Sequence, residues 1–297
     1  MAFTEHPKES NVPSMSEPVL SLFTGAMGLD LGLEQVGIRS TLTVEVDAHC
    51  CATMRRNRPD LDVWETDVNG LDGSALVARL GNPKDVFLMV GGPPCQSFCS
   101  GGKRAGLSDP HDTIYDLRNH PGPHSKYTPE VAKYFEMIPP GGNWRDLPKQ
   151  LQRDALGEAS LAAGGGKTGF YRRLAWNAPS PTVTGRANRK GSALCHPEAI
   201  RPLSVRECAR LQGFPDDWTF VGSMNRQYLQ VGNAVPVPLG VAIGRAILAA
   251  VDGPRQGPQQ NAFDLEHALV IATKKLRATA RNKVSAKDSP DDGPSLF

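Results

Sequence analysis

The chain is predicted to fold as an α/β protein of the Rossmann-like kind, a parallel sheet with helices on its faces. Two patterns predict it: short apolar strands alternate with helices from Pro18 to Val90, and a Gly-bearing turn joins the first strand to the first helix. Val19 to Phe23 reads as the first strand, and Leu29 to Val36 as a helix that Gly37 closes. Leu42 to Val46 is the second strand. Ala48 to Asn57 is the second helix, stopped by Pro59. Val63 to Thr66 is a weaker strand, Gly73 to Leu80 a helix ended by Gly81, and Val86 to Val90 the fourth strand.

At 297 residues the chain can bury a full core. A net charge of +2 excludes a uniformly basic nucleic-acid coat, so any DNA contact must come from a local basic face. Cys50, Cys51, Cys95, Cys99, Cys195 and Cys208 show no CxxC spacing, and a zinc site from Cys195 and His196 with Cys50 or Cys51 does not fit the usual ligand spacing; no metal is expected. Residues 1–17 are polar, without an apolar targeting core, and no stretch reads as long enough to span a bilayer; a cytoplasmic, reducing setting is expected.

Beyond Asp109 the character changes. Residues 111–196 are rich in Gly, Pro, Arg and Lys with little periodicity, and Arg172, Arg173, Arg186, Arg189 and Lys190 supply local positive charge. An irregular module touching phosphates fits this composition, and so does a solvated loop region. The run Gly164-Gly165-Gly166-Lys167-Thr168 is not a phosphate loop, because Leu161 stands where its first glycine belongs and no strong strand precedes it. Helical structure then returns. Ser204 and Glu207 form a capping box opening a helix from Val205 to Gln212, ended by Gly213 and Pro215. Pro236 and Pro238 start an apolar helix reaching about Val251; residues 252–260 read as a linker, Phe263 to Arg281 as a basic amphipathic helix, and the remainder as a disordered tail.

Cys95 lies in Val90-Gly91-Gly92-Pro93-Pro94-Cys95-Gln96-Ser97-Phe98, where the fourth strand enters a Gly/Pro turn. A thiol at the carboxyl end of a strand sits at the rim where open α/β sheets bind ligands, and the prolines restrict the backbone that carries it. It is a candidate nucleophile, although a buried structural thiol is the commoner fate of a cysteine. Three further segments occur in order with it: Val19 to Leu33 through Phe23-Thr24-Gly25-Ala26-Met27-Gly28, Arg201 to Pro215, and Gln230-Val231-Gly232-Asn233-Ala234-Val235-Pro236. Together these segments resemble the DNA cytosine-5 methyltransferase family of bacterial restriction-modification type. The resemblance covers roughly residues 18–110 and, more loosely, 111–250.

The resemblance implies an S-adenosylmethionine-dependent methyltransferase sheet with a smaller irregular target-recognition domain. A sulfonium methyl donor needs a turn that admits its backbone, a carboxylate for its ribose and a polar group for its adenine. Phe23 and Gly25 through Gly28 would form the turn, Glu45 at the end of the second strand would take the ribose, and Asp67 the adenine amino group. Pro94, Asn233, Ala234 and Val235 would complete the pocket. Met27 departs from the glycine often found there. Double-stranded DNA is the implied substrate, with Gln96, Arg172, Arg173, Thr182, Arg186 and Arg189 as candidate contacts and Ser180-Pro181-Thr182-Val183-Thr184 resembling the recognition region's signature. A cognate restriction endonuclease is an implied partner. The division follows: a tail at 1–17, a cofactor-binding and catalytic part at 18–110, recognition at 111–196, completing helices at 197–251, and linker, helix and tail at 252–297.

In the implied reaction the Cys95 thiolate adds to C6 of a flipped-out cytosine, and an acid near N3 stabilises the adduct. The family carries that acid in a Glu-Asn-Val motif on a fifth strand, followed by a Gln-x-Arg-x-Arg segment. No Glu-Asn pair occurs in this chain, and Asp109-Pro110 runs directly into material that the family places before its recognition region. Glu130 and Glu136 are the nearest glutamates, in surroundings unlike that motif. Loss of such an acid costs roughly 10²–10⁴-fold in rate. The expectation is a truncated sheet with impaired catalysis. A non-catalytic cofactor- or DNA-binding remnant, one part of a split enzyme completed by another polypeptide, and a tRNA cytosine methyltransferase of similar fold are the alternatives.

Overall fold

The computed structural model describes residues 17–92, 124–158, 170–188 and 194–252. Cys95, Pro94, Gln96, Arg189, the Gly164–Thr168 run and the expected helix from Phe263 lie outside them. The predicted repeat is present: β1 (Val19–Leu22), α1 (Gly28–Glu34), β2 (Leu42–Glu45), α2 (Ala48–Asn57), β3 (Asp62–Glu65), α3 (Gly73–Leu80) and β4 (Leu88–Gly91). The strands form one parallel sheet in the order β3-β2-β1-β4. β1 is central and buried throughout.

Side chains alternate across the sheet with the period of two that a strand imposes. Leu20 and Leu22 of β1 join Leu42, Val44 and Met89 in a cluster beneath Leu76 and Leu80 of α3. Val19, Leu88 and Val90 point the other way, into a cluster with Leu33 of α1 and with Ile247 and Leu248 of α8 (Val237–Asp252). The segment 111–196, expected to be irregular, contains α4 (Pro129–Met137) and α5 (Lys149–Leu156), with β5 (Arg172–Arg173) paired to β6 (Leu194–Cys195). Thr128 caps α4 with Pro129 in its first turn, and Phe135, Ile138, Leu147, Leu156 and Tyr171 fill a separate apolar cluster. Both helices are short, and Gly and Pro on either side hide their periodicity.

The Ser204–Glu207 capping box forms as predicted and opens α6 (Val205–Leu211). Arg201 makes a bidentate pair with Glu207 at 2.7 and 2.8 Å, with the carboxylate fully buried. A helix that the sequence reading did not assign, α7 (Met224–Asn233), precedes α8. Met224–Val251 is, among the described residues, long and apolar enough to cross a membrane by length and composition, which corrects the expectation that no stretch is. It breaks into α7 and α8 at Ala234–Pro236, and α8 packs on α1 through glycines.

That packing is tight. A Cβ at Gly32 would lie 2.3 Å from the Val237 carbonyl oxygen and 2.6 Å from the Gly240 Cα. Gly32→Ala therefore has to push α8 off α1, and overpacking of this kind costs ~1–3 kcal/mol. A lowered urea midpoint with an unchanged m-value is the expected result, and a midpoint equal to that of the unsubstituted chain would show that the seam yields freely.

Candidate active site

The rim at the carboxyl ends of β1, β2 and β4 gathers Phe23, Gly25, Gly28, Glu45 and residues 233–235 of those that the sequence singled out. After β1 the chain turns through Phe23 (φ 53°), Gly25 (φ 57°) and Met27 (φ 69°) before entering α1. Met27 takes this left-handed conformation despite its side chain, which is wholly buried among Leu31, Met54 and Phe214. Burial of a large apolar group offsets the cost of positive φ, of order 1 kcal/mol. The tight turn thus exists without the expected glycine.

Glu45 ties the turn to β2. Its Oε2 accepts from the Gly25 backbone N–H at 2.8 Å, and Oε1 accepts from the N–H groups of Val46 and Asp47 at 2.8 and 2.9 Å. Asp67 lies exposed after β3 and caps the following turn, accepting from the backbone and side-chain amides of Asn69 at 2.7 Å. Val46, which the sequence reading passed over, is 63% exposed beside Glu45. An apolar side chain left in water at a strand's carboxyl end is the kind of surface against which a flat ring can lie.

Residues 233–235 reach the same rim from the far end of the chain. A Cβ at Gly28 would lie 2.1 Å from the Val235 carbonyl oxygen, and one at Gly92 would lie 3.4 Å from a Val235 methyl. Buried Gln212 holds this segment from behind, its side-chain amide donating to the carbonyls of Val231 and Ala234 at 3.0 Å each, while its backbone carbonyl accepts from Val237 N–H at 2.8 Å. Nothing in the sequence pattern marks Gln212, because its role is set by contacts about 20 positions away. Gly92, two residues after β4 passes Val90, leads directly into Pro93-Pro94-Cys95.

Of the candidate DNA contacts, Thr182 and Arg186 are exposed. Thr184 packs its backbone against Gly232 of α7, where an added Cβ would lie 2.0 Å from the Thr184 carbonyl carbon. Arg172 and Arg173 are drawn into the fold. Arg172 is buried, and the Arg173 guanidinium donates to the backbone carbonyls of Pro197, Ile138 and Phe135 at 3.0, 2.9 and 3.4 Å. Glu130 and Glu136 are exposed on α4. His196 uses its Nδ1 to accept from the N–H groups of Glu198 and Ala199. No cluster of three metal-ligating side chains occurs among the described residues.

One buried carboxyl stands beneath the turn. Asp30 of α1 accepts from the Ser40 hydroxyl at 2.5 Å, and burial pushes its pKa up to about 6. It keeps its proton across the range in which an exposed aspartate has lost one.

The sequence profile of the C-5 cytosine-specific DNA methylases matches residues 18–117 and 127–249. The chain belongs to that family. Type II methyltransferase M.Eco47II of Escherichia coli is 32% identical, the match covering 84% of this chain and 83% of that protein. M.PspPI of Psychrobacter sp. is 32% identical over 80% of each chain, and M.Sau96I of Staphylococcus aureus is 29% identical over 77% of this chain and 75% of its own. The first match runs over 352 aligned positions, whereas 84% of 297 residues is about 250, so about 100 positions have no counterpart in this methylase-family chain. The other two, over 339 and 329 positions, leave shortfalls of about the same size. A crystallised E. coli prophage protein assigned to the DNA modification methyltransferases shares the fold, with TM-score 0.51 and 18% identity over 80% of this chain and all of that one.

Two outcomes follow from this geometry. Because the folded Asp30 pKa lies above its ordinary value of 3.8, the folded state binds the extra proton between about pH 4 and pH 6, and stability falls as pH rises through that window. The loss is about 3 kcal/mol by pH 7. Asp30→Asn should flatten that fall in urea midpoints measured from pH 4 to pH 7; an unaltered pH profile would place the proton elsewhere. Arg173→Ala should lower stability by ~1.5–3 kcal/mol, since three carbonyls lose a charged donor. If it left the urea midpoint intact and weakened DNA binding alone, the guanidinium would belong to phosphates rather than to the fold.

Proposed function

We propose that this chain supplies the cofactor-binding and nucleophile-bearing parts of an S-adenosylmethionine-dependent DNA cytosine-5 methyltransferase acting on a specific duplex sequence, and that catalysis is impaired in the chain alone. The observation that carries this reading is the convergence of the 23–28 turn, Glu45 and residues 233–235 on one rim, with Gly92 touching Val235 immediately before Pro93-Pro94-Cys95. The division into parts at 18–110, 111–196 and 197–251 belongs to the same proposal.

The residues present fit the cofactor. Space is open above Gly25, where an added Cβ would meet nothing within 4 Å. Glu45 is held rigid by three backbone amides and can accept from ribose hydroxyls with its remaining lone pairs. Phe23, Gly28, Asp67, Pro94, Asn233 and Ala234 would frame the rest, with Val46 against the adenine face. When bound, S-adenosylmethionine offers an electrophilic methyl on sulfur.

Cys95 would act as the nucleophile. Its thiolate forms a bond to C6 of the extruded cytosine, the C5–C6 π electrons shift toward N3, and a proton must arrive there as C5 becomes nucleophilic. Later, loss of the C5 proton expels the thiolate and restores the ring. Gln96, Thr182, Arg186 and Arg189 would face the DNA. The acid at N3 is what this chain lacks: it contains no Glu-Asn pair, and about 100 positions of the M.Eco47II match have no counterpart in it.

The purified chain should bind S-adenosylmethionine in a calorimetric titration, and Glu45→Ala should weaken that binding at least tenfold. It should transfer labelled methyl groups to duplex DNA at a rate lower by roughly 10²–10⁴-fold than the same chain carrying the corresponding M.Eco47II stretch inserted after Pro110. Cys95→Ser in the restored chain should abolish transfer, because a hydroxyl is far less ionised than a thiol. Full activity from the unaltered chain would refute the impairment, and restored activity that survives Cys95→Ser would refute the nucleophile.

A further inference from the structure

Gly185 brings the 182–187 segment against the last turn of α7. A Cβ at this position would lie 2.7 Å from Leu229 Cδ1, 3.4 Å from the Leu229 Cα and 3.3 Å from Asn233 Oδ1. Its φ is not in the left-handed region, so space and not backbone conformation calls for the glycine. The Thr184–Gly185 peptide lies directly on α7, since a Cβ at Gly232 would come within 2.1 Å of the Gly185 nitrogen.

The segment is anchored on both sides of this contact. Val183 and Ala187 are buried in the same apolar cluster as Tyr228 and Val231 of α7. The Ala187 N–H donates to the Thr184 carbonyl at 3.0 Å and closes the turn that carries Gly185. Asn233 is differently placed: it is exposed at the rim, and among the described residues no hydrogen bond holds its carboxamide. A side chain in that situation takes its rotamer from the atoms around it.

We propose that Gly185 is a positioning residue for the methyl donor: by carrying no side chain it leaves Asn233 the rotamer that serves S-adenosylmethionine, so a residue of the 182–187 segment shapes the cofactor pocket. This rests on the reading that the rim binds S-adenosylmethionine. Leu229 precedes Asn233 by one helical turn, so the two groups that a side chain at 185 would displace are neighbours on one face of α7. A clearance of 3.3 Å is closer than an ordinary carbon contact of about 3.5–4.0 Å, and the anchored segment has nowhere to retreat. The carboxamide is the group that yields.

Calorimetric titration of the full chain with S-adenosylmethionine is the test, read beside urea midpoints. Gly185→Ala should weaken binding at least about fivefold. Gly142→Ala, whose Cβ would crowd Asp146, Ile138 and Pro139 instead, should leave binding unchanged. Gly185→Val combined with Leu229→Ala moves volume from one side of the contact to the other, so its urea midpoint should stay near that of the unsubstituted chain while binding stays weak. That pair covers a single variant that fails to fold. Asn233→Ala should weaken binding to a similar degree, and adding Gly185→Ala to it should weaken binding no further, as expected of two residues that act through one group. Unchanged affinity in the folded Gly185→Ala chain or in the volume-conserving pair overturns the proposal. So does equal weakening by Gly142→Ala, an Asn233→Ala chain that binds normally, or an undiminished effect of Gly185→Ala in the Asn233→Ala background. Absence of heat from the unsubstituted chain removes the cofactor reading, and this proposal with it.

Discussion

The site depends on a seam where backbone meets backbone. α1 and α8 approach until Gly32 and Gly240 touch, and the same approach sets Gly28 against the Val235 carbonyl. Any side chain at these positions would hold the helices apart. Because α1 begins at the 23–27 turn and α8 begins just after Val235, the distance between the helices fixes the distance between two segments more than 200 positions apart in sequence. Gly232, one turn earlier, extends the seam to Thr184 and Gly185, so the 182–185 segment takes its position from the same contact. Small residues here are geometric requirements; their apolar character is secondary.

Polar groups around this seam divide into those that hold the rim and those that serve it. Glu45 accepts three backbone N–H groups, and such a carboxylate is oriented before any ligand arrives. Gln212 spends both amide hydrogens on carbonyls of the 231–234 segment, which fixes the rim from below. Asp30 is the costly member: a carboxyl in full burial just after the turn, protonated below about pH 6 and a burden to the fold above it. Its one short hydrogen bond ties Ser40 to α1.

The sheet was legible because its information is local. Alternating apolar runs, Gly37 and Gly81 at helix ends and the Ser204–Glu207 box each act within a few residues, and the elements appeared within two positions of their predicted bounds. α4, α5 and α7 were not legible. Their apolar faces are short, and α4 and α5 are stabilised by a cluster assembled from Tyr127 to Cys195 that no local window contains. Arg172 and Arg173 show the same limit from the opposite direction. A pair of arginines in a basic stretch reads as a phosphate contact, whereas carbonyls at Phe135, Ile138 and Pro197, far off in sequence, claim one of them for the fold. Glu45 was singled out because a strand-end acid is a local signal; the contacts of Gln212 were not legible because only packing brings its partners to it.

A chain that lacks about 100 positions of its relatives still closes three clusters around its sheet, and the strand order explains how. Parallel sheets of this kind grow outward from β1, with β2 and β3 to one side and β4 to the other. β1 and β2, each flanked by a strand on both sides, are the inner strands of the described sheet. The later part of the chain contains the module built on α4 and α5, which has its own core, and α8, which packs on α1. The rim formed by the 23–28 turn, Glu45 and residues 233–235 lies on the inner strands β1 and β2. In the proposed reading the acid at N3 belongs to a further strand, so the same topology separates binding from turnover.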